Sequence, residues 1–167
     1  MTNGTNTTPA WGHAEGILNL KPPQAVQENQ QELDRAHVID TLHRYGFAYD
    51  ERRLEVLRGC FTDDAEFLGS VAGKTDIGPF RGWPAIAEFL EGHMTVQNDQ
   101  RRHMLVSDIV EDLDASTAST VSYLMLTSSS DGAVHVVTSG FYRCDLHKGE
   151  DGVWRIARLF AGFDSAF

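Results

Sequence analysis

Asp50 and His103 are the two side chains whose types could move a proton together. Asp50 follows Tyr49 at the end of an apolar-periodic stretch, and His103 follows Arg101-Arg102 at the start of a β-rich one. A histidine of ordinary pKa, ~6.5, exchanges protons at neutral pH with little tuning, and a nearby carboxylate would stabilise the imidazolium and fix the tautomer. Each residue also has a plainer reading. Capping the helix that follows is the commonest task for an aspartate in the position of Asp50. Inside an aromatic pocket, burial would instead raise its carboxyl from ~3.9, while a charged neighbour could restore the carboxylate. Period-two counting puts His103 on one face with Leu105, Ser107 and Ile109, and a histidine in such company is more often a satisfied core residue than a catalyst. Spacing alone leaves both readings of each residue open.

No louder motif competes with this pair. The glycine-rich dinucleotide fingerprint, the phosphate-binding loop, GxSxG and HExxH are all absent, so dinucleotide, nucleotide, serine-hydrolase and zincin chemistries have no support. His37 and His43 are six apart and point to different helix faces, so neither a metal nor any other cofactor is expected. Tyr123 and Tyr142 lie on strand-like stretches and could be pocket hydroxyls that polarise a carbonyl, or core tyrosines with satisfied OH groups. Arg158 shares a face with Ile156 and Phe160, and is either an inward charge partner or a solvent-facing residue.

The elements that must position these groups can be read in order. Val38, Leu42, Tyr45 and Tyr49 recur at helical spacing and predict a helix with an aromatic inner stripe, weakened by Gly46 and broken at the polar run Asp50 to Arg53. Leu54, Val56, Leu57 and Phe61 predict a short second helix, and Ala65 to Leu68 a strand entry. The stretch from Gly69 to Gly82 reads as turns around a short strand or loop, and Trp83-Pro84 opens a third helix through Ile86, Phe89 and Leu90. From Met104 onward four β-rich stretches follow, at Met104 to Val110, Thr117 to Thr127, Ala133 to Leu146 and Val153 to Gly162. Their linkers are too short for crossover helices, so antiparallel hairpins are expected. Helices first and a curved antiparallel sheet afterwards is an α+β domain with helices packed on one sheet face. That domain spans residues 30–167. Residues 1–29 read as a flexible or partner-docking arm, in which Trp11, Ile17 and Leu18 are the side chains that would dock.

Composition sets the outer limits. The chain has 167 residues, 41% of them hydrophobic and 10% aromatic, enough for one packed domain. A net charge of −10 repels phosphate backbones and anionic bilayers, so neither nucleic acid nor membrane is an expected partner. Cys60 and Cys144 form no CxxC pair and read as buried thiols of a cytoplasmic protein. No run approaches the ~18 apolar residues of a membrane span.

Five features in order resemble one family: a helix ending in Tyr49-Asp50, then Phe61-Thr-Asp-Asp-Ala-Glu-Phe, Gly82 before the helix containing Ile86, Arg102-His103, and Asp151-Gly-Val-Trp-Arg-Ile. Together they look like the SnoaL-like branch of the nuclear transport factor 2-like superfamily. The resemblance implies a cone-shaped domain whose curved antiparallel sheet wraps around the helices and encloses a deep apolar pocket. Such members include polyketide cyclases, scytalone dehydratase, a dehydrochlorinase, ketosteroid isomerase, limonene epoxide hydrolase and the small subunits of ring-hydroxylating dioxygenases. Fold alone does not choose among them. The dehydratase and dehydrochlorinase are similar in placing an aspartate and a histidine where Asp50 and His103 fall. The resemblance thus implies a histidine base, an orienting aspartate, and Tyr49 as a holder of a substrate oxygen. Tyr45, Phe67, Trp83, Tyr123, Tyr142 and Arg158 become the substrate-binding candidates. Two departures leave the general acid open: the dehydratase's second pocket histidine falls near Thr127-Ser128 here, and its strand asparagine near Tyr142. The expected function is a cofactor-independent dehydratase, lyase, isomerase or cyclase acting on a small hydrophobic carbonyl compound such as a polyketide-type intermediate, in a homodimer or homotrimer. The alternative is a non-catalytic ligand-binding module or a dioxygenase β subunit.

Overall fold

The computed structural model describes residues 31–167. The arm proposed for residues 1–29, with Trp11, Ile17 and Leu18, lies outside the described residues. Helix α1 (Gln31–Asp50) and the short α2 (Leu54–Cys60) lead into strands β1 (Phe61–Val71) and β2 (Thr75–Arg81). Helix α3 (Trp83–Val96) follows, and then β3 (Gln100–Leu113), β4 (Thr117–Ser130), β5 (Ala133–Lys148) and β6 (Trp154–Phe163).

The six strands form one curved, unclosed sheet in the order β2-β1-β6-β5-β4-β3. Neighbours joined by tight turns are antiparallel, as short linkers require. The exception is β1 beside β6, which is parallel because the chain returns to it only after α3 and the β3–β6 meander. The stretch after Gly69, read as turns around a strand or loop, contains the full strand β2, and β1 starts directly at Phe61 rather than at Ala65.

The helices supply the core's inner layer. Val38, Leu42, Tyr45, Ala48 and Tyr49 on α1 are buried, which is the stripe that helical spacing predicts. They meet Phe61, Leu146, Ile156 and Leu159 from the sheet, each fully buried and each worth roughly 1.5–3 kcal/mol of transfer free energy. Polar pins set how α1 lies on the sheet. Buried Asp34 accepts from Lys148 Nζ at 2.8 Å and from Trp154 Nε1 at 3.0 Å, and Thr41 Oγ1 donates to the Trp154 carbonyl at 3.0 Å. Both cysteines are free and buried, and burial pushes the Cys60 thiol up to about 12 and the Cys144 thiol up as well.

Bulges interrupt the period-two count at three places that matter for the site. The β3/β4 register shifts between Val106 and Ile109, with Ser107 at φ 57. Ser107 and Ile109 therefore leave the inner face of His103 and Leu105, and Ile109 is 56% exposed. A second shift, between Leu126 and Thr127 against β5, places the extra residue on β5, so β4 keeps its alternation, with Leu124 and Leu126 facing in and Tyr123 and Met125 facing out. A third, between Asp145 and Leu146 against β6, turns Arg158 outward.

Candidate active site

One cavity opens between α1, α3 and the inner face of the sheet. It holds about 570 Å³ of non-atom space, open mouth included, and is walled by Phe67, Ile77, Phe89, Leu90, Leu126 and Phe163. Its polar groups come from Tyr45, Tyr49, His93, Gln97, Arg101, His103 and Tyr142. An apolar chamber with a few convergent polar groups is the usual form of a small-molecule site.

Asp50 stands behind the wall and grips His103 twice. Its Oδ1 lies 2.6 Å from His103 Nδ1, and its Oδ2 accepts the His103 backbone N–H at 2.7 Å. The side chains are 3% and 6% exposed, so water does not compete for either bond. The carboxylate accepts from Nδ1–H, which leaves the Nε2 lone pair as the basic site of the neutral ring. Capping is not what Asp50 does: the residue preceding α2 is Arg53, and no side chain caps that helix. The close approach of α1 to β3 fits Gly46, where a Cβ would stand 3.5 Å from the His103 Cβ.

The Tyr49 ring meets the imidazole edge-on, with centroids 4.8 Å apart. Its hydroxyl accepts from Gln97 Nε2 at 3.1 Å, so its own proton is available to the cavity. Burial raises the Tyr49 phenol above its ordinary value, partly offset by the Gln97 bond and the charge of Arg101. Burial raises Tyr45 and Tyr142 as well, and their rings meet edge-on with centroids 5.9 Å apart. All three are neutral donors at physiological pH.

The loop entering β3 is tied to the end of α1. Arg52, buried at φ 53, donates to the carbonyls of Gln97 at 2.7 Å and Asp99 at 3.4 Å. Gln100 Nε2 donates to the Asp50 carbonyl at 3.2 Å. Asp99 accepts from Arg101 Nε at 2.6 Å and from the Ser128 hydroxyl. Burial works to raise the Asp99 carboxyl, but those two bonds outweigh it and hold it below its ordinary range.

Among the sequence candidates, Tyr45, Tyr49, Phe67, Tyr142 and His103 line the cavity, with Asp50 behind them. Three candidates do not reach it. Tyr123 alternates with inward Leu124 and is 66% exposed on the outer sheet face. Trp83, at the first turn of α3, packs on Phe61 and carries the Arg58 guanidinium 5.6 Å above its ring. Arg158 pairs outside with Glu66 at 3.5 Å and Asp145 at 4.0 Å. The sequence reading missed Arg101, Gln97 and His93. Counting back by two from His103 would have found Arg101, whereas Gln97 and His93 depend on how α3 ends against the sheet. Among the described residues, no group of three or more His, Cys, Asp or Glu is arranged to hold a metal, and no helix is long and apolar enough to cross a membrane.

Comparison with known proteins agrees with this architecture. No curated protein matches the chain. Aln2 from a Streptomyces species is 26% identical, with a TM-score of 0.68 over 82% of this chain and 95% of that one. A Catenulispora acidiphila protein solved in complex with S-DNPA is 25% identical, with a TM-score of 0.69 over 80% of this chain and 96% of that one. A chain assigned as the β subunit of an aromatic-ring-hydroxylating dioxygenase from Novosphingobium aromaticivorans shares the fold at 14% identity, with a TM-score of 0.69 over 81% and 92%. The model of the SnoaL-like domain matches residues 30–159, and the chain belongs to that family, with the nuclear transport factor 2-like fold.

Proposed function

We propose that this protein is a cofactor-independent acid–base enzyme acting on a small hydrophobic carbonyl compound, in a dehydratase, isomerase or cyclase reaction. The observation that carries the reading is the buried Asp50–His103 pair, doubly bonded and opening through Nε2 into an apolar cavity. His103 Nε2 takes a proton from the carbon next to the substrate carbonyl. The C–H electron pair moves into a carbon–carbon double bond, and the carbonyl oxygen becomes an enolate. Asp50 holds the ring in its Nδ1–H tautomer and balances the imidazolium once formed. Tyr49, whose hydroxyl proton has no acceptor among the described residues, donates to the developing oxygen. The imidazolium then returns the proton to a different atom or to a leaving group.

Deuterium exchange tests the first step without knowledge of the natural substrate. The probe is 2-tetralone in D₂O, followed by proton NMR. Wild type is expected to exchange the α-protons faster than buffer, and His103→Ala and Asp50→Asn each to slow the enzymic rate by roughly 10²–10⁴-fold. Equal rates in wild type and His103→Ala would overturn the reading.

The homo-oligomer also belongs to this proposal. Met104, Val106, Tyr123, Met125, Val134 and Val136 form an exposed apolar row on the outer face of β3–β5, which supports a sheet-mediated assembly. The dioxygenase β-subunit reading rests on shared fold alone, and the Asp50–His103 geometry favours the enzyme.

A further inference from the structure

The charged and ionisable groups on the cavity wall are sorted by sign. Arg101, His93 and His103 reach the lining, together with the Gln97 amide and three phenols, while no aspartate or glutamate of the described residues does. The carboxylates are set one layer back. Asp50 is turned to His103, and Asp99 to Arg101 and Ser128. Arg101 is thus the one permanent charge among the described lining residues, in a chain whose net charge is −10.

Arg101 is the group in this wall with spare capacity. A guanidinium carries five N–H donors in a fixed fork. Nε is spent on Asp99 at 2.6 Å, and neither terminal nitrogen has a partner among the described residues. Its side chain is 19% exposed, so those donors are largely removed from bulk water. Asp99 therefore acts as a clamp, fixing the base of the fork so that its tip meets the cavity beside Gln97 and Tyr49. Arg101's charge on Tyr49 shows in the phenol, whose ionisation it eases against burial.

We propose that Arg101 makes this cavity an anion-binding site, and that the ligand it takes is a compact aromatic or alicyclic molecule carrying a carboxylate or an ionised enol. The anionic oxygen sits against the Arg101 terminal nitrogens and the Tyr49 hydroxyl, and the ring lies among Phe67, Phe89 and Phe163. Arg101 thereby fixes which carbon faces His103 Nε2. The assignment rests on the reading of this cavity as the substrate site and narrows the substrate class within it.

Titration calorimetry with benzoate and its neutral isostere benzamide tests it. Charge-assisted hydrogen bonds are worth about 1.5–3 kcal/mol, so wild type should bind benzoate at least about tenfold more tightly than benzamide. Arg101→Gln should abolish that preference while benzamide still binds, which also reports an intact cavity. Arg101→Lys should recover part of it, and His103→Gln should keep most of it. Equal affinities for the two probes in wild type, or an undiminished preference in Arg101→Gln, would overturn the assignment. A preference lost in His103→Gln but kept in Arg101→Gln would overturn it too, by moving the anion to the imidazole. None of these outcomes reads proton transfer, so the 2-tetralone exchange stands or falls separately.

Discussion

Two aspartate–histidine pairs join the same helix to the same strand, and they differ in almost everything else. In the first, α1 supplies Asp50 and β3 supplies His103. In the second the roles are exchanged: α1 supplies His43, about two helical turns before Asp50, and β3 supplies Asp108. His43 Nε2 lies 3.0 Å from Asp108 Oδ2, and Ser122 Oγ donates to Asp108 Oδ1 at 2.6 Å. The first pair is 6% and 3% exposed and opens into the cavity, whereas His43 is 43% exposed and lines no part of it. The chemical groups are the same. What separates them is exclusion of water, which makes a hydrogen bond to a buried carboxylate count, and an adjoining space for a reactant. Residue types alone therefore do not mark a site.

The largest expected contrast is in turnover. His103→Ala should lower proton exchange by roughly 10²–10⁴-fold, while His43→Ala should stay within about threefold of wild type. Comparable losses in both variants would mean that the catalytic role belongs to the fold rather than to the buried pair. Stability should show a smaller contrast. Asp50→Ala leaves the His103 backbone N–H and a buried ring nitrogen without acceptors, which costs roughly 1–3 kcal/mol. Asp108→Asn keeps an acceptor for Ser122 and loses only a half-exposed ion pair, about 1 kcal/mol or less after solvent screening. Chemical denaturation of the two variants measures the difference, and equal losses would remove burial as its cause.

The first pair is partly legible in the sequence and the second is not, for a physical reason. Tyr45, Tyr49 and Asp50 lie on an uninterrupted helix, where a 3.6-residue period carries across every turn, and His103 precedes the first irregularity of β3. Asp108 lies inside that irregularity. Ser107 at φ 57 inserts an extra residue, so simple alternation places Ser107 inward and Asp108 outward, the opposite of what the bulge does. The same limit of alternation points Arg158 to the pocket, since its true orientation is set by a register shift against β5. Trp83 misleads differently, because an aromatic at a helix start has the composition of a pocket wall while its position is set by Phe61 and Arg58. Order and type of the elements follow from periodicity. The parallel β1–β6 contact does not, because it joins segments far apart in the chain.

Acid titration offers the finest test of how burial divides the molecule. Asp99, with a side chain 10% exposed, is held below its ordinary value: burial works to raise it, but the hydrogen bonds from Ser128 and Arg101 prevail. Asp151, 53% exposed, is lowered to about 2, chiefly by the Arg155 hydrogen bonds. A depressed folded-state pKa contributes stability that is present above the unfolded value of ~3.9 and is lost as pH falls through the folded one. Wild-type Tm should therefore fall as pH drops below about 4, and removing either carboxylate should flatten that fall. Asp151 has the lower value, yet its pair is open to water and its measured share is discounted accordingly. Asp99→Asn is thus expected to flatten the fall of Tm below about pH 4 more than Asp151→Asn does. The reverse order in differential scanning calorimetry would show that the exposed bidentate pair, not the buried clamp on Arg101, contributes more to acid stability.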